Sequence, residues 1–289
     1  MFKKGVITDE ISQEFQVAVD MAREFNLDAV EIRSVWEKGP HELDKDDMKR
    51  IKDILKGTGL AVCGIGAPFF KCDIDNEEEY KEHIQILKNC IELAKELETN
   101  IIRGFTFWKK GTLEENLDRI IAKFEEPVKL MEAADMILAI EFDPSVFATN
   151  AKQVAVVLDK IKSPNVKGLW DPGNDIYDPD GEVPFPDGYK YMKDYMVHMH
   201  LKDARKNPQT GKIEGVPVGE GDVDYIEHFK QLIADGYTGY VSLETHYRPK
   251  HEISDELLAL PKGGAFSYGG DIATRECLKK WFALLDKIA

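Results

Sequence analysis

Short apolar runs alternate along the chain with longer stretches in which apolar residues recur every three or four positions. The short runs are β-rich and fall at 5–8, 29–32, 60–64, 101–105, 137–141, 166–170, 196–200 and 240–244. They begin about 24 to 44 residues apart, the span of one strand followed by one helix. Between them, Ile84, Leu87, Ile91 and Ala94 recur at helical spacing, as do Val17, Met21 and Phe25. Both stripes read as core packing. Thr112-Leu113-Glu114-Glu115 forms a capping box, and Asn76 with Glu79 and Asn150 with Gln153 are similar in kind. Pro127 should kink or split the fourth helical pattern.

No Gly/Ser linker, low-complexity tract or break in composition divides the chain, so residues 1–289 are expected to form one domain. Eight βα units suit a single (β/α)8 TIM barrel, with its active site on the C-terminal rim. A doubly wound sheet would carry a glycine-rich phosphate loop after its first strand. Here that stretch is Asp9-Glu10-Ile11-Ser12-Gln13, without a glycine. One connection is long: about 25 residues separate Glu244 from Gly269-Gly270 and the last helix at 272–288. An extended loop after strand eight is expected to act as a lid or substrate wall.

Charge and composition narrow the class. With 38 Lys+Arg against 53 Asp+Glu the formal charge is -15, which repels phosphate backbones and weighs against a nucleic-acid partner. No apolar stretch approaches the about 20 residues of a membrane span, and the first ten residues lack the apolar core of a secretion signal. Cys63, Cys72, Cys90 and Cys277 form no Cys-x-x-Cys pair. A reduced, cytoplasmic setting fits them best.

Candidate chemistry lies at the later strand ends. Strand five finishes on Glu141, strand six on Trp170-Asp171, strand seven on His200-Leu201-Lys202-Asp203, and strand eight on Leu243-Glu244. Three carboxylates and an imidazole on one rim make a hard, mostly oxygen site with room for water or substrate. That donor set favours Mn²⁺ or Mg²⁺, with Co²⁺ or Zn²⁺ possible through the histidine. Clustered carboxylates without a cation would repel one another, so the cluster itself argues for a metal.

The chain resembles the xylose isomerase-like barrel superfamily, which includes ketose 3-epimerases, hydroxypyruvate isomerases, inosose isomerases and dehydratases, and the endonuclease IV branch. The resemblance rests on Glu31-Ile32-Arg33, Ile140-Glu141, Trp170-Asp171-Pro172-Gly173-Asn174 and His198-Met199-His200-Leu201-Lys202-Asp203. It rests also on Gly219-Glu220-Gly221-Asp222-Val223-Asp224-Tyr225 and the run from Gly236 to Glu244. It implies one divalent metal held by Glu141, Asp171, His200 and Glu244. It further implies that Glu141 and Glu244 act as acid and base on opposite faces of a sugar or polyol, through an enediolate held at the metal. Epimerisation or isomerisation is the leading expectation. Dehydration of an inosose or keto acid is the alternative on the same scaffold. A phosphodiesterase of the endonuclease IV kind would need several zinc ions and more histidines than this rim supplies. A non-catalytic sugar or metal binder would not need both glutamates.

Two positions depart from the ketose 3-epimerase pattern. Asn174 stands where those enzymes carry a substrate-binding histidine, and Arg205 stands near the place of their arginine beyond strand seven. Both are expected at the substrate, as are Lys202, Arg33 and Arg103, which could bind an anionic group or pair with rim acids. Trp108, with Trp36 and Phe69, could wall a sugar pocket. His198 is expected to point away from His200, as a buried structural residue or a supporting partner. Gly219 and Gly221 with Asp222 read as a tight turn and helix N-cap, and Gly269-Gly270 as backbone able to approach an anion. Barrels of this kind often pair, so a homo-oligomer is possible.

Overall fold

All eight expected strands are present in a computed structural model that describes residues 1–249 and 266–288. They are β1 (Lys3–Val6), β2 (Ala29–Ile32), β3 (Ala61–Phe69), β4 (Ile101–Gly104), β5 (Ile137–Glu141), β6 (Val166–Trp170), β7 (Met196–Leu201) and, after a hairpin, β10 (Tyr240–Leu243). Their order is β1-β10-β7-β6-β5-β4-β3-β2, parallel throughout. A bridge between Ile7 and Glu31 links the two ends of that order, giving a nearly closed barrel. A parallel pair needs a crossover, and helices supply it at each step.

The helices are α1 (Phe15–Glu24), α2 (Lys45–Leu55), α3 (Glu77–Glu96), α4 (Leu113–Lys123), α5 (Glu125–Ala134), α6 (Ala151–Ile161), α7 (Pro172–Tyr177), α8 (Tyr189–Met192), α9 (Tyr225–Ala234) and α10 (Gly270–Leu285). In α3 the stripe Ile84, Leu87, Ile91 and Ala94 is buried as its spacing requires. In α1 Met21 is buried as expected, together with Phe15, Ala18, Val19 and Ala22, and Phe25 packs against the core, but Val17 is 45% exposed. Val17 follows Phe15 by two positions, about 200° around the helix, and so faces solvent.

Local chemistry sets the helix ends. Thr112 and Glu115 close a capping box on α4, and Asn76 and Asn150 cap α3 and α6. Pro127 lies in the first turn of α5, where its missing N–H leaves no ladder bond unmade; the chain breaks at Phe124. Asp224, not Asp222, caps α9, accepting from the Glu227 N–H, while Asp222 accepts from Lys206 N. The turn before it does need glycine: Gly219 has φ +84°.

The sequence pattern missed one feature. Between β7 and α9 the chain forms an antiparallel hairpin, β8 (Asp203–Lys206) and β9 (Ile213–Val216). Its signal was the turn-rich stretch Asn207-Pro208-Gln209-Thr210-Gly211, in which Gly211 has φ +73°. Most of the long connection after β10 lies outside the described residues, so its expected role as a lid rests there too.

Candidate active site

The parallel strands open onto one rim, and the polar residues at their ends are nearly all buried. Glu141 ends β5, Asp171 follows β6, His200 lies in β7, and Glu244 follows β10. Each of the four is buried, and one ligand atom from each lies within 4.8 Å of the others. His200 Nδ1 stands 3.3 Å from Glu141 Oε1 and 3.6 Å from Glu244 Oε2. Asp171 caps α7: its Oδ1 accepts from Gly173 N and Asn174 N. Its Oδ2 receives no well-directed hydrogen bond, although Lys202 Nζ lies 2.6 Å away. Burial pushes the Asp171 carboxyl up to about 8, and the neighbouring Glu244 and Glu141 add to the rise while Lys202 opposes it.

These observations test a cation against the site. A desolvated carboxylate oxygen among two more carboxylates and an imidazole is a set of hard donors at the mutual distances a divalent ion spans. The residues fit such an ion. Its identity is not fixed by them.

The remaining rim residues surround this core. Lys202 Nζ also reaches Glu244 Oε2 at 3.0 Å. Arg103 donates from Nη1 to Glu141 Oε2 at 3.2 Å and from Nε and Nη2 to the carbonyls of Ala67 and Gly66. Arg33 donates to Glu244 Oε1 at 2.8 Å, Glu10 Oε1 at 2.7 Å and both Asp9 oxygens at 3.1 Å. Each glutamate of the cluster therefore carries its own buried arginine. Asn174 donates from Nδ2 to Glu141 Oε1 at 3.3 Å and to the Phe142 carbonyl at 2.8 Å, which also ties it to that glutamate. Arg205 is exposed on β8 and pairs with Glu214 on β9, not with a carboxylate of the cluster, among the described residues. Trp108 is half-buried beside Lys71, whose Nζ lies 5.6 Å from its ring and pairs with Asp143.

His198 does not turn away from His200. Residues two apart on a strand share a face, and both rings reach Glu31 on β2: His198 Nε2 at 2.8 Å and His200 Nε2 at 3.1 Å. Glu31 was recognisable as a problem from its sequence, an acid inside the apolar run Ala29-Val30-Glu31-Ile32. A buried carboxylate needs donors, and the two histidines are those donors. Asp9, Glu10, His246 and Arg248 also join the rim network. Burial pushes His246 down to about 3, against the pull of Glu244 and Glu10. Its ring stacks on Phe266 at 4.3 Å.

This fold and this rim define a class of barrel, and the sequence falls in it. The chain belongs to the xylose isomerase-like TIM barrel family, whose profile matches residues 19–262. It is 23% identical over 235 residues to an L-ribulose-5-phosphate 3-epimerase from Salmonella heidelberg (strain SL476), covering 78% of this chain and 79% of that one. An uncharacterized protein of Methanocaldococcus jannaschii is also 23% identical, over 241 residues and 78% of each chain. Among solved structures, D-psicose 3-epimerase from Clostridium cellulolyticum H10, solved with D-tagatose, superposes with a TM-score of 0.72 at 16% identity, over 99% of this chain and 98% of that one. A xylose isomerase domain protein from Planctomyces limnophilus gives 0.74 at 15% identity, over 99% and 98%. At those identities the superpositions speak to the fold.

Proposed function

We propose that the chain is a divalent-metal-dependent epimerase or isomerase of a sugar or sugar-like polyol. The observation that carries the reading is the meeting of two buried glutamates, from β5 and from the end of β10 with β6 and β7 between them, with Asp171 and His200 in one cluster. Glu141, Asp171, His200 and Glu244 would hold the ion. Bound there, it would polarise a substrate carbonyl and acidify the neighbouring C–H. One glutamate oxygen then takes that proton, and the other glutamate returns a proton from the far side of the flattened carbon. Arg103 and Arg33 hydrogen-bond the two carboxylates and hold them aimed, and burial of the cluster excludes bulk water from the exchange. The similarity to an L-ribulose-5-phosphate 3-epimerase supports proton transfer beside a ketose carbonyl.

The test uses Mn²⁺-loaded and chelator-stripped protein with a panel of free and phosphorylated ketoses in D₂O. Metal-dependent deuterium incorporation beside the carbonyl, with a new epimer or aldose, is the expected result. Equal turnover by the stripped protein overturns the metal requirement. Water loss with a new enone absorbance would make it a dehydratase instead.

A further inference from the structure

His200 divides its two ring nitrogens between different neighbours. Nδ1 faces Glu141 and Glu244, and Nε2 faces Glu31 Oε1 at 3.1 Å. The other Glu31 oxygen lies 2.8 Å from His198 Nε2. The rings of the two histidines stand 5.5 Å apart and nearly perpendicular, so one carboxylate reaches both from between them. All three side chains are buried, Glu31 at 1% exposure.

An ionised carboxylate only accepts hydrogen bonds. Both nitrogens that face Glu31 must therefore carry hydrogen. Nδ1 in turn lies 3.3 Å from Glu141 Oε1 and can donate there while no ion intervenes; with an ion in the cluster, the imidazole would keep its hydrogen on Nε2 and present the Nδ1 lone pair to that ion. We infer that Glu31 is a positioning residue: it fixes His200 in the tautomer and ring orientation that make Nδ1 a ligand. His198 holds the second Glu31 oxygen and stops the carboxylate from rotating. The inference rests on the metal-dependent reading of the Glu141–Asp171–His200–Glu244 cluster. It follows a general rule that the partner of a ligating histidine sets its basicity and direction.

A second metal between Glu31, His198 and His200 is the rival account of the same residues. The oxygens and nitrogens already sit at hydrogen-bond distance from one another, so the groups satisfy each other directly. A further group among the described residues, Glu10, Glu244 and His246, holds the Arg33 guanidinium, which lies 2.7 Å from Glu10 and 2.8 Å from Glu244.

Calorimetric titration of Mn²⁺ into stripped wild type and Glu31→Gln protein tests the inference. The carboxamide keeps the shape but turns an N–H₂ toward one ring, opposing its hydrogen. The expected result is a Kd for Mn²⁺ raised by about 10- to 100-fold, with far-UV circular dichroism unchanged. A second measurement needs no variant: ¹⁵N spectra of the Zn²⁺-loaded wild type should show metal at His200 Nδ1 and a proton on Nε2. Wild-type affinity in Glu31→Gln, or metal at Nε2, overturns the role of Glu31 and leaves the proposed function standing. Failure of the wild type to bind Mn²⁺ or Zn²⁺ overturns both.

Discussion

Arg33 Nη1 donates to Glu244 Oε1 at 2.8 Å while its other nitrogens hold Asp9 and Glu10. One guanidinium thus pairs with three carboxylates that are themselves buried. Removing one partner of a buried ion pair leaves uncompensated charge, at a cost of about 3–5 kcal/mol. Arg33→Leu is expected to lose that much stability in urea unfolding at pH 7. An unchanged midpoint would show that the three acids find other partners.

Glu141→Gln and Glu244→Gln each remove a proton carrier and a ligand oxygen. Turnover should fall by at least about 10²-fold, and Mn²⁺ binding should weaken. If the two carboxylates serve opposite faces, each variant still washes deuterium out of one epimer and not the other. Measured by mass spectrometry on both epimers, equal washout would point to a single base.

Gly173 follows Asp171 and passes close to β7: a Cβ there would stand 2.7 Å from the Lys202 carbonyl oxygen. Backbone cannot yield as a side-chain end can. Gly173→Ala should cost about 1–3 kcal/mol and weaken Mn²⁺ binding, because the turn carries both Asp171 and Asn174.

Asp175 on α7 tests the electrostatics beside the cluster, where burial acts with Asp171 and other neighbouring acids. Its Oδ1 accepts from Ala151 N at 3.1 Å, and its buried Oδ2 has no hydrogen-bond partner among the described residues. Burial pushes its carboxyl up to about 8, from about 3.9 in the unfolded chain. A folded pKa above the unfolded one means its stabilising contribution is complete below about pH 4 and is lost as pH rises toward 8. Asp175→Asn should therefore flatten the decline of wild-type stability between pH 4 and 8, with its gain over wild type largest near pH 8. Parallel urea midpoints for the two proteins across that range would refute the assignment.

Strand positions were legible because each strand is a compact apolar run between helices of clear period. The run at 29–32 matches β2 to the residue, and 137–141 matches β5. The four clustered residues were legible too, since chain order along a barrel places successive strand ends on one rim. The arginines were harder. Arg33 and Arg103 at strand ends suggest anion binding as readily as ion pairing, and only three-dimensional proximity joins Arg103 to Glu141 across 38 positions. The face of His198 follows from the two-residue period of a strand, yet its partner Glu31 lies 167 positions away. Val17 shows the opposite limit: a spacing of four fits two overlapping helix faces, and tertiary contact chose between them.

The barrel's circle is thinnest where β1 meets β2, with the bridge between Ile7 and Glu31 in place of a full ladder. Across that seam run Thr8 Oγ1 to the Glu31 carbonyl, Ser34 Oγ to Asp9, and the Arg33 fork to Asp9 and Glu10. Side chains act there as a clasp where backbone pairing is sparse. The same clasp anchors Glu244 through Arg33 and borders Glu31. Loosening the circle and disarming the rim are, in this architecture, a single event.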